Sequence, residues 1–182
     1  IACSITGYGL TGPGKDRAAL DACIQAYAGV MSITGEPDGA PMRAGPLYSD
    51  LGSGMAGALG ILAAVVARAR TGLGQQVDIS MLDCQIAIQE NAFMRYHVTG
   101  ETPSKLGTRH PTAVPFQAFE TADGYIVVAI AWGVPNQWAL LCAELGVIEI
   151  ADDPRFSTGE ARSAHHAELE PILAAAFTRA TA

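Results

Sequence analysis

The sequence predicts an α/β layer followed by a smaller α+β unit, and three observations carry that prediction. Over the first hundred residues, short apolar runs alternate with segments of helical period in the order strand, helix, helix, strand, helix. A stretch rich in breakers and without periodicity, residues 99–111, separates this half from one that reads as two strands and then helices. The 182 residues are 49% hydrophobic and 16% charged, which is enough apolar mass for a packed core and excludes intrinsic disorder.

Taken in order, Ile1 to Ile5 reads as a strand that runs into the loop Gly7 to Gly14. A domain rarely opens on a parallel strand without upstream neighbours, so the sequence is expected to begin inside a longer protein and to be poorly folded or associating by itself. Leu20, Cys23, Ile24, Tyr27, Val30 and Met31 recur at helical spacing and predict one helix over 18–33, stopped by Gly35 and Pro37. A polar loop precedes a second helix, about 50–71. Gly54, Gly57 and Gly60 recur there at three-residue intervals, and each would cost about 1 kcal/mol relative to alanine unless something approached the backbone closely. Its longest uncharged apolar stretch, 51–67, is 17 residues long. That falls short of the roughly 20 that cross a bilayer and predicts a buried helix. Residues 76–80 alternate as a strand, and a helix over 81–98 is capped at Ser80 and stopped by Gly100. Beyond the linker come strands over 114–119 and 125–130 joined at Asp123-Gly124 and a helix over 136–145. A last helix over 160–177 opens at Thr158 and is interrupted or restarted at Pro171.

Charge and cysteine usage restrict the function classes. Net charge is −7, residues 101–182 hold ten acids against five bases, and no basic run offers a footprint for nucleic acid or an anionic membrane. Cys3, Cys23, Cys84 and Cys142 lie far apart with no CxxC pair, and no signal segment opens the chain, which predicts a reduced, cytoplasmic, metal-free protein. Gly9-Leu10-Thr11-Gly12-Pro13-Gly14-Lys15 has phosphate-loop spacing, but Asp16 stands where a Mg²⁺-holding hydroxyl belongs and would repel phosphate, so the plainer reading is a tight turn.

Asp50 stands at the mouth of a helix whose first turn, Leu51-Gly52-Ser53-Gly54, has almost no side chains. A carboxylate there is favoured as the anion and has room for a bulky ligand, while the plainer reading is an aspartate N-cap. Asp21 either faces the same cleft or lies on a solvated helix face. His110 is a candidate base, whereas His97, His165 and His166 have no partners at metal or triad spacing. Cys84 lacks a cationic flank and reads as a structural thiol.

Several segments together resemble the family III CoA-transferases. They are Ser4 to Gly9 with Thr11-Gly12-Pro13, Gln25 to Gly29 with Thr34 to Gly39, Asp50 and its Gly/Ala-rich helix, Arg68 to Gln75, and Val77 to Asp83. Pro115 to Phe119, Asp123 to Tyr125, Trp138 and Asp153-Pro154-Arg155-Phe156 continue the match in order. The resemblance implies that residues 1–98 are the later part of a large Rossmann-like domain, 99–111 a linker and 112–182 a small α+β domain, in a protein about twice as long that forms an interlocked homodimer. It implies acyl-CoA:carboxylate CoA transfer through an aspartyl-CoA thioester. Coenzyme A thioester and a small carboxylic acid are then the substrates, with no tightly bound cofactor. Asp50 matches the nucleophile and Asp21 a second active-site acid; Met81 matches a CoA contact, and Gly107, Thr108, Arg109 and His110 an active-site flap. Because the C-terminal half is the more acidic, CoA phosphates are expected at Lys15, Arg17 and Arg43 or at bases outside this chain. Alternatives are a 2-methylacyl-CoA racemase, disfavoured because Leu20 stands where those enzymes place a histidine, and an inert CoA-binding remnant.

Overall fold

The computed structural model describes residues 1–130 and 136–181. The chain packs as two units, Ile1–Gly107 and Thr108–Ala182.

The first unit is built on two parallel strands, β1 (Ala2–Thr6) and β2 (Gln76–Ser80), in the register Ala2 to Gln76 through Thr6 to Ser80. Between them run α1 (Asp21–Tyr27), α2 (Val30–Ile33) and the 24-residue α3 (Tyr48–Thr71). After β2 come α4 (Met81–Ala87) and α5 (Glu90–Thr99). Two expected continuous helices are therefore split. The first breaks at Gly29, whose φ of 89° ends α1 and opens α2. The second breaks at Ile88 and Gln89, where the Gln89 amide donates to the carbonyls of Ala28 (3.2 Å) and Gln85 (3.0 Å). As read from the sequence, Ser80 caps α4, its hydroxyl accepting the Asp83 N–H at 3.2 Å.

The glycines of α3 explain how it lies on the sheet. A Cβ at Gly57 would stand 3.1 Å from Ile5, and one at Gly60 would stand 2.7 Å from Val77, so at both positions the strands approach the helix backbone directly. Gly54 is different: open space surrounds it, and no close approach accounts for it. Gly57 faces Ile5 and Gly60 faces Val77, the register partner of Cys3, so α3 runs antiparallel to the strands. Its N-terminus thus points toward their carboxyl ends.

The expectation of a buried helix is corrected here. On α3 only Ser49, Ser53, Gly57 and Ala64 are buried. Leu51, Met55, Leu59, Leu62 and Val66 form a stripe 54% to 68% exposed. Small residues turn inward so that the sheet can come close, which leaves the large ones outside. By length and composition α3 is also long enough to cross a membrane. Its small-residue face is spent on β1 and β2, as in a sheet-covering helix.

We expect Gly54→Ala to stabilise the protein by up to about 1 kcal/mol through helix propensity. Gly60→Ala should lose stability, because pushing a stiff valine aside costs roughly 1–3 kcal/mol. Paired thermal melts check the ordering; equal melting temperatures would contradict the close packing.

The second unit holds the antiparallel hairpin β3 (Phe116–Glu120) and β4 (Tyr125–Ala129), closed by the Thr121 N–H to the Gly124 carbonyl at 2.9 Å. Around it lie α6 (Gln137–Glu144), a 3₁₀ turn (Ile148–Ile150), α7 (Gly159–Ala164) and α8 (His166–Phe177). Thr158 caps α7 as expected, accepting the Ala161 N–H at 3.1 Å. The break in the last helix falls at His165 and not at Pro171, which sits inside α8. Phe119, Trp138, Cys142, Phe156, Leu169 and Leu173 belong to one buried cluster. Burial pushes the Cys142 thiol up to about 11.

Candidate active site

Asp50 occupies the third position of α3, with its side chain exposed. It is not the N-cap: the helix begins two residues earlier, and Leu47 precedes it with no capping side chain. The cap comes from another helix. Asp21, the first residue of α1 and only 6% exposed, accepts the backbone N–H of Ser49 (2.8 Å) and of Asp50 (3.4 Å) on Oδ1. Its carboxylate does for α3 what a local Ser or Asp does at most helix starts, and it places a negative charge where the helix dipole favours one. Of the two readings of Asp21, the solvated helix face is excluded by this burial.

A buried polar network extends from this cap. The Gln25 amide donates to Asp21 Oδ2 at 2.7 Å and to the Pro46 carbonyl at 3.3 Å, while its Oε1 accepts the Ala44 N–H at 2.9 Å. The Ser49 hydroxyl donates to Gln85 Oε1 at 2.7 Å, and Ser53 donates back to the Ser49 carbonyl. Gln25, Ser49, Ser53 and Gln85 are all buried. Among the described residues no group bonds the Asp50 carboxylate itself, and open space lies beside Gly52 and Gly54. The arrangement is a hydrogen-bonded backbone seat under a carboxylate that none of the described residues bonds. Such a carboxylate can act as a nucleophile toward an activated acyl group.

Gln25, Ser49 and Gln85 are absent from the sequence-derived candidates. The available signal was the spacing of Asp21 and Gln25, one helical turn apart on the same face. Gln85 carries no such mark.

The other candidates are dispersed. Met81 opens α4 directly after β2, and the loop 7–14 follows β1, so both lie at the carboxyl end of the parallel pair, where open α/β sheets bind ligands. That loop is a turn, with Gly9 and Gly12 at φ of 81° and 82° and the Leu10 N–H donating to Asp78 at 3.0 Å. Arg17 lies over the rings of Tyr8 (5.1 Å) and Tyr27 (5.4 Å), Arg43 donates to the Gly45 carbonyl, and Lys15 is exposed.

Gly107 belongs to the first unit, its N–H donating to the Gly35 carbonyl at 2.9 Å. Thr108, Arg109 and His110 belong to the second, where each has partners. Thr108 accepts the Ala118 N–H, and the His110 ring stacks on Phe116 with Nδ1 accepting from Thr112 and Ala113. Arg109 donates to His166 Nδ1 at 2.9 Å. A groove of about 900 Å³ in the second unit, beside Trp138 and Arg162, touches none of these candidates. Burial raises the Cys84 thiol, with Asp83 adding to the effect, which is the reverse of an activated thiolate.

The His166 side chain is only 13% exposed. Burial, with Arg109 adding, lowers its pKa below 6.5, so folding favours the neutral ring. The folded state then binds fewer protons than the unfolded one, and stability is lost as pH falls below about 6.5. Glu168 and Asp153 are held low by bonds to His165 and Arg155, so their contribution is lost only at more acid pH. Melting temperature against pH should decline in two stages, and His166→Gln should remove the first; an unchanged profile would contradict this.

The whole chain, residues 1–182, matches the sequence profile of CoA-transferase family III, and it belongs to that family. It is 43% identical over 173 residues to a succinate–glutarate CoA-transferase of Agrobacterium fabrum, covering 95% of this chain and 43% of that protein. It is 38% identical over 180 residues to an acetyl-CoA:oxalate CoA-transferase of Acetobacter aceti, covering 98% and 46%. The structure superposes on a CAIB/BAIF family protein from Brucella suis with a TM-score of 0.82 and 38% identity, covering 98% of this chain and 47% of that one. The chain spans less than half the length of these relatives.

Proposed function

We propose that the protein transfers coenzyme A between an acyl-CoA and a small carboxylic acid, with Asp50 as the nucleophile. The observation that carries this reading is the exposed Asp50 carboxylate on a helix start whose backbone is held by the buried Asp21. An Asp50 oxygen attacks the thioester carbon; a C–O bond forms, the C–S bond breaks, and CoA leaves as thiolate from a mixed anhydride. The thiolate then attacks the Asp50 carbonyl and expels the donor acid, leaving an aspartyl-CoA thioester. An acceptor carboxylate reverses the sequence, and no net proton is consumed. Each exchange conserves an activated acyl bond, which is why a carboxylate suits the task.

The names of the relatives support dicarboxylates such as succinate, glutarate and oxalate as the acids. The parallel pair and its crossover helix support assignment of residues 1–98 to a Rossmann-like large domain. The exposed apolar stripe of α3 supports an interlocked homodimer in which further protein covers it. We place the enzyme in the cytoplasm, a reading that the four free cysteines favour.

The test is to give the full-length protein succinyl-CoA with glutarate in deuterated buffer. Glutaryl-CoA without deuterium at the acyl α-carbon is expected. Washed-in deuterium without transfer would point to a racemase and overturn the proposal.

A further inference from the structure

We infer that Gln25 is a positioning residue for Asp50, acting through Asp21; the inference rests on the reading of Asp50 as nucleophile. Gln25 is fully buried, and its single side-chain amide ties α1 to the loop that feeds α3. Its nitrogen fixes Asp21 Oδ2 and the Pro46 carbonyl, and its oxygen fixes the Ala44 N–H. The opposite oxygen of the same Asp21 carboxylate holds the Ser49 and Asp50 N–H groups. A carboxylate anchored at one oxygen cannot swing about its Cβ–Cγ bond, so the amide sets where Oδ1 stands and therefore where the first turn of α3 stands. Pro46 and Ala44 lie on the loop that feeds α3, so the same side chain fixes both the approach and the cap. Gln25 touches no reacting atom. Its effect falls on the direction of the Asp50 carboxylate, the quantity on which attack geometry depends and for which a displacement near 1 Å can cost about a hundredfold in rate.

Two substitutions in the full-length protein test this, assayed with succinyl-CoA and glutarate. Gln25→Leu removes every bond, and kcat is expected to fall about a hundredfold with KM for succinyl-CoA within about twofold, because the thioester site is untouched. Gln25→Glu keeps the shape and the acceptor for Ala44. While its carboxyl holds a proton it donates to Asp21 Oδ2; when the proton leaves, two buried anions repel and the cap is lost. Its kcat relative to the parent protein should therefore fall at least about tenfold between roughly pH 5 and pH 8, a signature that a merely structural role would not produce. The titratable or charged groups on and around α1 are its own Asp21, Cys23 and Tyr27, Tyr8 and Arg17 packed against Tyr27, Tyr48, Asp50, Arg68 and Arg70 on α3, Asp83 and Cys84 on α4, and Arg43 in the loop before α3; apart from Asp21, which the Gln25 amide holds, these stand clear of it.

A pH-independent ratio for Gln25→Glu overturns the inference, and so does parental kcat in Gln25→Leu. If Gln25→Leu does not fold, the Gln25→Glu profile decides alone. Asp50→Ala, run alongside, separates the two levels: retained transfer in that variant refutes the nucleophile, whereas its loss with unaffected Gln25 variants refutes only the positioning role.

Discussion

Replacing Asp50 by alanine is expected to abolish CoA transfer, a loss of at least about 10⁴-fold, with almost no loss of stability. Its carboxylate accepts no hydrogen bond among the described residues, and Leu47 and Asp21, not Asp50, stand at the cap of α3. What the fold loses is a favourable charge near a helix N-terminus, about 0.3 to 1 kcal/mol. A catalytic role predicts this separation of activity from stability, and a capping role predicts the reverse. Steady-state transfer and thermal melting on the same preparation check it; residual transfer above about 0.01% would contradict it.

Asp21→Ala should do something different. The Ser49 and Asp50 N–H groups and the Gln25 amide lose their shared acceptor, and each buried donor left unpaired costs roughly 1–3 kcal/mol. Melting temperature should drop, and turnover should slow by about a hundredfold, because the seat of the nucleophile loosens. The nucleophile is still present, so the covalent adduct should form, only more slowly. Rapid-quench measurement of adduct formation in the full-length protein separates the outcomes. An Asp21→Ala protein that melts normally, or that never forms adduct, would contradict the positioning account.

The sequence carried local information faithfully and long-range information hardly at all. Residues 76–80 alternate cleanly between Gly74 and the Ser80 cap, and β2 has those bounds. The start of α3 was misplaced because Asp50 has every local attribute of a cap, whereas the group that caps the helix lies 29 residues upstream, on α1. Periodicity ran through Gly29 because a single left-handed residue breaks the backbone without upsetting the apolar phase. Gln89 broke the next helix by bonding the Ala28 carbonyl, a tertiary cause that no local pattern contains. Glycine spacing announced a close approach at α3, and Gly57 and Gly60 have it. The same spacing gave no warning that Leu51, Met55 and Leu59 would turn outward. At the site, Asp50 and Asp21 were legible as acids in suggestive surroundings. The buried Gln25 and Gln85 were not, because an isolated glutamine in a helix ordinarily marks a solvated face.

The most direct test of the account is to locate the covalent intermediate. Full-length protein incubated with succinyl-CoA, with acceptor withheld, should accumulate a thioester or anhydride that hydroxylamine converts to a hydroxamate. Peptide mass spectrometry should find that hydroxamate on Asp50. A hydroxamate on any other residue, or none while transfer proceeds, would contradict the assignment of Asp50 as the nucleophile.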